Sequence, residues 1–191
     1  GELCGRTVTC PPGIIRPAMD RMREALSAVL GPLDGLSFLD LFTGSGVIGL
    51  EAWSRGARPI RCVEKDPGKK ETILRNLAMA GDTAFLSIMP VERFIMSWKE
   101  PFNVIFLDPP FDYPHKQQLL ERICASRLLA PWSKVLMHYP DEDHIGDHIA
   151  AKGSSGPDGK GKTGARTLSL YDKRVYGRSV VHFYQANELE S

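Results

Sequence analysis

No apolar run in the 191 residues is long enough to span a membrane, and no charged-then-apolar leader opens the chain. A soluble, cytoplasmic protein without membrane contact is therefore expected. Charge of one sign is also lacking: 24 basic and 23 acidic residues leave a net charge of +1, so no global field draws in nucleic acid. The four cysteines, Cys4, Cys10, Cys62 and Cys124, contain no CxxC pair, and the last two sit in apolar stretches. Reduced structural thiols are expected rather than a zinc site. His144 and His148 have HxxxH spacing among Asp141, Glu142, Asp143 and Asp147, but no third ligand pattern accompanies them. That segment reads as a charged helix start, and no metal is expected. Trp53, Trp98 and Trp132 read as packing or surface residues. There is no internal repeat, and the length suits one domain acting as a monomer. Gly1 falls inside what reads as a strand pattern, so residues upstream of it are expected.

What is present is alternation. Short apolar runs at Ser37–Phe42, Ile60–Glu64, Ala84–Ile88, Val104–Asp108 and Lys134–Tyr139 are separated by stretches with helical spacing, such as Ile73, Leu74, Leu77 and Ala80 before a stop at Gly81. This predicts an α/β fold, a mostly parallel twisted sheet flanked by helices, with its cofactor-binding core over residues 36–150. Residues 1–31 read as an N-terminal extension of strand and helix, the helix starting near Pro17 and ending at Gly31-Pro32. Residues 152–165, rich in Gly, Ser and Lys, read as a flexible loop. Residues 166–185 read as an antiparallel hairpin, Thr167–Tyr171 and Ser179–Tyr184, turning around Tyr176-Gly177.

Asp40-Leu41-Phe42-Thr43-Gly44-Ser45-Gly46-Val47-Ile48-Gly49 places a glycine turn between the first strand and a helix, where backbone can approach a cofactor closely. The GxGxxG spacing alone also fits nicotinamide and flavin sites. Charge separates them. A dinucleotide sets an anionic pyrophosphate on the helix N-terminus, whereas S-adenosylmethionine brings an ammonium and a sulfonium. Asp40 would repel the first and attract the second. Glu64 closes strand two, where an acid can accept the ribose hydroxyls of either cofactor. The plainer alternatives are a loop-bracing carboxylate for Asp40 and a solvated strand end for Glu64.

Strand four runs into Asp108-Pro109-Pro110-Phe111. Two successive prolines hold an extended corner that can aim the Asp108 carboxylate and the Pro109 carbonyl at one point. An exocyclic amine on a base is a poor nucleophile because its lone pair is delocalised into the ring. Two acceptors gripping both hydrogens would direct that lone pair at a methyl group, and a carboxylate would stabilise the positive charge building on nitrogen. Phe111 can stack on a base taken out of its helix or loop. The alternative is a stiff turn with an aromatic core plug.

Taken together, these residues resemble the bacterial 16S ribosomal RNA guanine-N2 methyltransferase family, a class I Rossmann-like methyltransferase. The likeness is carried by Gly5-Arg6, the segment Arg16-Pro17-Ala18-Met19-Asp20-Arg21-Met22-Arg23-Glu24, the stretch LDLFTGSGVIGLEAWSRGA, FLDPPF and the closing YGRSVVHFYQ, and it runs nearly end to end. It implies S-adenosyl-L-methionine as cofactor, bound by Arg16, Asp40, Phe42, Gly44, Ser45, Gly46, Glu64, Val91 and Asp108. Asp108, Pro109 and Phe111 would be catalytic. Small-subunit ribosomal RNA, within a partly assembled particle, would be the substrate, met by Arg6, Arg21, Arg23, Lys173, Arg174 and Arg178.

Two positions depart from the family pattern. Ala18 stands where a threonine could cap the helix, and Met89-Pro90-Val91 replaces the polar residue that often receives the adenine amino group, leaving backbone near Val91 or Glu92 for that contact. Between Lys152 and Arg178, seven basic residues face only Asp158 and Asp172, a local excess open to RNA phosphates or simply to solvent. The competing readings are an adenine-N6 or protein-glutamine methyltransferase with the same corner, a nicotinamide oxidoreductase, and an idle RNA-binding module of the same fold.

Overall fold

The computed structural model describes residues 28–152 and 166–188, which divide into two compact units with the boundary after Val91. The strand and most of the helix expected before Gly31, and the expected loop after Lys152, lie outside these residues. The last helical turn at 28–30 is seen, ending at Gly31 with φ 67°.

In the first unit three parallel strands, β1 (Phe38–Leu41), β2 (Ile60–Glu64) and β3 (Ala84–Ile88), lie in the order β3-β2-β1. Every residue of β1 is buried, as a parallel strand covered on both faces requires, and this includes Asp40. Helix α1 (Val47–Ser54) buries Ile48, Leu50 and Ala52. Helix α2 (Lys70–Leu77) is amphipathic, burying Ile73, Asn76 and Leu77, while Leu74 is 46% exposed rather than part of the expected stripe. A 3-10 turn, Pro67–Lys69, leads into it; Asp66 caps that turn by accepting from Gly68 N at 2.9 Å. After Leu77 the chain tightens into 3-10 geometry at Ala78–Thr83, kinked at Gly81, so the helix stops earlier than its apolar spacing predicts.

The second unit begins with α3 (Val91–Ser97) and then runs β4 (Phe102–Leu107), α4 (Lys116–Ala125), β5 (Leu129–Pro140), β6 (His148–Ile149), β7 (Leu168–Tyr176) and β8 (Ser179–Ala186). Its strand order is β4-β5-β8-β7-β6, with β4 and β5 parallel and the remainder antiparallel. The expected C-terminal hairpin is therefore present, longer than predicted at both strands. β5 also starts earlier than Lys134, its pairing with β4 passing through an irregularity between Phe102 and Val104. Trp132 takes φ 64° there, and buried Ser133 donates to Phe102 O at 2.6 Å while accepting from Ala130 N. The predicted helix start around His144 is not found. Residues 141–142 turn, 143–147 are irregular, and His148 enters β6.

Between β5 and β8 lies a polar chain in an otherwise apolar core. Tyr184 donates its hydroxyl hydrogen to Gly146 O, so His182 Nδ1 must donate to the Tyr184 oxygen at 2.9 Å, leaving His182 Nε2 to accept from Tyr139 at 2.9 Å. Every partner is satisfied only by the neutral ring. Burial, reinforced by the Lys173 ammonium and opposed by Asp147, lowers the His182 pKa from 6.5 to about 4. Between those values the unfolded chain binds a proton that the folded one refuses, so stability falls as pH drops from 6.5 to about 4 and this contribution levels off below. Urea unfolding across that window should give a shallower loss for His182→Gln than for the parent; equal slopes would show that His182 is not the source.

Candidate active site

The glycine loop is built by carboxylates. Asp40 is 1% exposed, and its Oδ2 accepts from Thr43 Oγ1 and from Gly49 N at 3.2 Å. Glu64, 5% exposed, accepts from Gly44 N at 3.1 Å, Asp66 N at 3.0 Å and Lys69 Nζ at 3.3 Å. Glu64 is therefore no solvated strand end. Asp40 does serve as the loop brace that its position allows. Asn76 Nδ2 holds the loop from the α2 side by donating to Ser45 O at 2.8 Å. Phe42 takes φ 66°, a region non-glycine residues enter rarely, so the loop leaves β1 under local backbone strain.

The last two glycines have different reasons to be there. Gly46 caps α1 with φ 82°, a left-handed conformation suited to glycine. Gly49 is a matter of space: a Cβ there would lie 2.8 Å from Cys62 Sγ and 3.1 Å from Ile60 Cγ2. The helix thus rests directly on β2. Cys62 is a buried free thiol whose pKa is raised, first by burial and then by Asp40.

Three amides of the glycine loop are engaged within the protein, Gly44 by Glu64, Gly46 by Thr43 O at 2.9 Å, and Gly49 by Asp40. Two buried carboxylates at one loop suit a cationic ligand. Val91, 3% exposed, packs its side chain into the core, so only its backbone is suited to the expected adenine contact.

In the second unit, Asp108, Pro109 and Phe111 follow β4. Asp108 Oδ1 lies 2.7 Å from Nδ1 of His138, a residue of β5, and the Phe111 ring meets the His138 ring edge-on at 5.6 Å between centroids. Phe111 is 41% exposed, which overturns the core-plug alternative. The loop after the corner is pinned by Lys116 at the start of α4. Its ammonium, only 6% exposed, donates to Phe111 O at 2.7 Å and Tyr113 O at 3.0 Å and pairs with Asp143 at 2.7 Å. Tyr113 N closes a turn on Pro110 O at 2.8 Å, and the Tyr113 hydroxyl bonds Glu92 at the start of α3. His138, Lys116 and Tyr113 are absent from the sequence-derived site. His138 lies inside an apolar strand run, and only the β4–β5 register, Leu107 beside Met137, brings it to Asp108.

With this geometry in place, the comparisons with known proteins are informative. The family described as Conserved hypothetical protein 95 matches residues 1–185. The chain belongs to this family. It is 37% identical over 116 residues to Ribosomal RNA small subunit methyltransferase D of Escherichia coli strain K12, covering 58% of this chain and 58% of that protein's length. The solved structure of yhhF from Escherichia coli superposes with a TM-score of 0.78 at 26% identity, over 98% of this chain and 95% of that one. The C-terminal domain of precorrin-6Y C5,15-methyltransferase from Rhodobacter capsulatus shares the fold at 16% identity, with a TM-score of 0.63 over 93% and 94%. The α/β fold with mostly parallel strands and an antiparallel C-terminal hairpin is thus the class I methyltransferase fold.

Of the cations expected to meet RNA, Arg6, Arg21 and Arg23 lie outside the described residues, as does Arg16. Lys173 is exposed on β7, but Arg174 is held by Asp172 at 2.8 and 3.1 Å, and Arg178, 88% exposed, lies 3.7 Å from Glu142. Such exposed pairs contribute roughly 0–1 kcal/mol, so they yield readily to a phosphate. Among the described residues no group of three or more metal-ligating side chains occurs. No helix among them is long and apolar enough to cross a membrane.

Gly49→Ala tests the helix-on-strand contact. Overpacking costs about 1–3 kcal/mol, against roughly 1 kcal/mol gained from alanine's helix preference. A net loss of stability is expected by denaturant midpoint, and a net gain would mean β2 has room to yield.

Proposed function

We propose that this protein uses S-adenosyl-L-methionine to methylate the exocyclic N2 amine of a guanine in small-subunit ribosomal RNA. The observation that carries the reading is the corner at Asp108, whose carboxylate lies 2.7 Å from His138 Nδ1 and whose following backbone is clamped by a buried ammonium. The likeness to a small-subunit ribosomal RNA methyltransferase supports the substrate.

When bound, the cofactor supplies an electrophilic methyl group. Asp40, Phe42, Gly44, Ser45, Gly46 and Glu64 are the described residues that would hold it, with Val91 backbone near the adenine. The Asp108 carboxylate and the Pro109 carbonyl take the two hydrogens of the target amine, which turns its lone pair out of conjugation with the ring. As positive charge grows on that nitrogen, the same carboxylate stabilises it until the nitrogen passes one proton to solvent water. The exposed face of Phe111 stacks on the extruded base. A near-balanced total charge supports recognition through the shape of a partly assembled particle, with Lys173, Arg174 and Arg178 contributing phosphate contacts.

The deciding experiment is mass analysis of small-subunit RNA nucleosides from cells with and without the protein. Loss of N2-methylguanosine is the expected result, and an unchanged level refutes the substrate. By calorimetry, S-adenosylmethionine should bind and NAD should not, and Glu64→Ala should weaken binding by about 1–3 kcal/mol. Tighter binding of NAD would reverse the cofactor assignment. Asp108→Ala should slow methyl transfer roughly a hundredfold to a thousandfold with cofactor affinity largely kept, and Asp108→Asn should slow it less. Phe111→Ala should instead weaken RNA capture by about 1–3 kcal/mol. Single-turnover transfer of labelled methyl groups reads both, and a near-normal rate for Asp108→Ala removes the corner from the mechanism.

A further inference from the structure

His138 sits near the C-terminal end of β5 between Met137 and Tyr139, 5% exposed, in a run otherwise built from core side chains. An imidazole placed there loses water and must recover the cost through a hydrogen bond. Its ring nitrogen Nδ1 does so with Asp108 Oδ1 at 2.7 Å, a length typical of a bond to a charged acceptor. An ionised carboxylate only accepts, so the proton lies on Nδ1. The ring also packs against Phe111 at 62° between planes, so one buried side chain touches both the carboxylate and the aromatic of the corner.

The geometry points to His138 as a positioning residue for methyl transfer: its Nδ1–H fixes the plane of the Asp108 carboxylate and reserves Oδ2 for the target amine. This rests on reading the corner as an amine-binding site. The terminal torsion of an aspartate is broad and roughly two-fold, and the Asp108 side chain is 26% exposed, so without an anchor it would swing and spend part of its time hydrated. Among the described residues Oδ2 carries no hydrogen bond, whereas Oδ1 is committed to His138. The arrangement therefore delivers one oxygen, in one orientation, to the reacting nitrogen. Alignment of this kind acts on the rate of the chemical step and leaves cofactor affinity alone.

The test uses three variants of the full chain. His138→Ala removes the donor. His138→Asn keeps an N–H close to the position of Nδ1, and His138→Gln moves it away to the position of Nε2. Single-turnover methyl transfer to small-subunit particles should fall roughly tenfold to a hundredfold for Ala and Gln, the usual scale for losing a hydrogen bond to a charged group. Asn should restore most of the rate, and S-adenosylmethionine affinity should hold in all three. In an Asp108→Asn background, His138→Ala should add little further loss, because the two side chains act as a unit. A rate for Ala within about twofold of the parent, or equal impairment of Asn and Ala, overturns the assignment.

The unsubstituted protein gives a second reading that needs no substrate. Nitrogen-15 NMR of the imidazoles at neutral pH should show His138 protonated at Nδ1, and a bare Nδ1 with the proton on Nε2 refutes the proposal outright. Should the parent methylate neither particles nor naked RNA, the substrate reading fails by itself, and the imidazole spectrum then decides the assignment of His138.

Discussion

A carboxylate buried at the end of a central strand is costly, and the first unit is organised around meeting that cost at Asp40. Taking an ion out of water costs several kcal/mol, so a carboxylate 1% exposed must be compensated by donors or opposite charge. Among the described residues the Thr43 hydroxyl and the Gly49 amide donate to it, and both bonds hold the chain as it turns back over the strand end. That turn requires the left-handed backbone at Phe42 and Gly46 and the missing side chain at Gly49. Glu64 repeats the device one strand over by holding Gly44. The loop's shape is thus a consequence of where two negative charges are buried.

The second unit solves the opposite problem with the opposite charge. Two prolines leave the backbone after β4 short of donors, and the carbonyls of residues 111 and 113 would lack partners in a partly buried loop. Lys116 supplies an ammonium from the first turn of α4, and Asp143 neutralises it. One buried cation therefore substitutes for the amides that proline removes.

The sequence was most readable where a signal is periodic or local. β2 and β3 were found to the residue, because apolar runs bounded by turns specify strands without tertiary help. Thr43 lies three residues from Asp40, and its role was open to a reader who took the loop-bracing alternative seriously. What escaped detection depends on register or on burial of a polar residue. His138 is 30 residues from Asp108 and meets it only because β4 and β5 pair in parallel. Lys116 reads as an ordinary charged helix start until its loop folds over it. The helix expected at His144 failed for a related reason: its apolar residues are few, and Ile145 is buried within an irregular stretch beside a short strand.

The way the corner is fastened has an evolutionary consequence. Lys116 grips carbonyl oxygens, which every amino acid possesses, and His138 grips the carboxylate. Neither bond is made by the side chain at position 111, a surface aromatic at the rim of the corner that packs against the His138 ring. The position of the acid and the character of the surface beside it are therefore separately mutable. Descendants of such a protein can exchange the ring at 111 while the acid at 108 stays where it is.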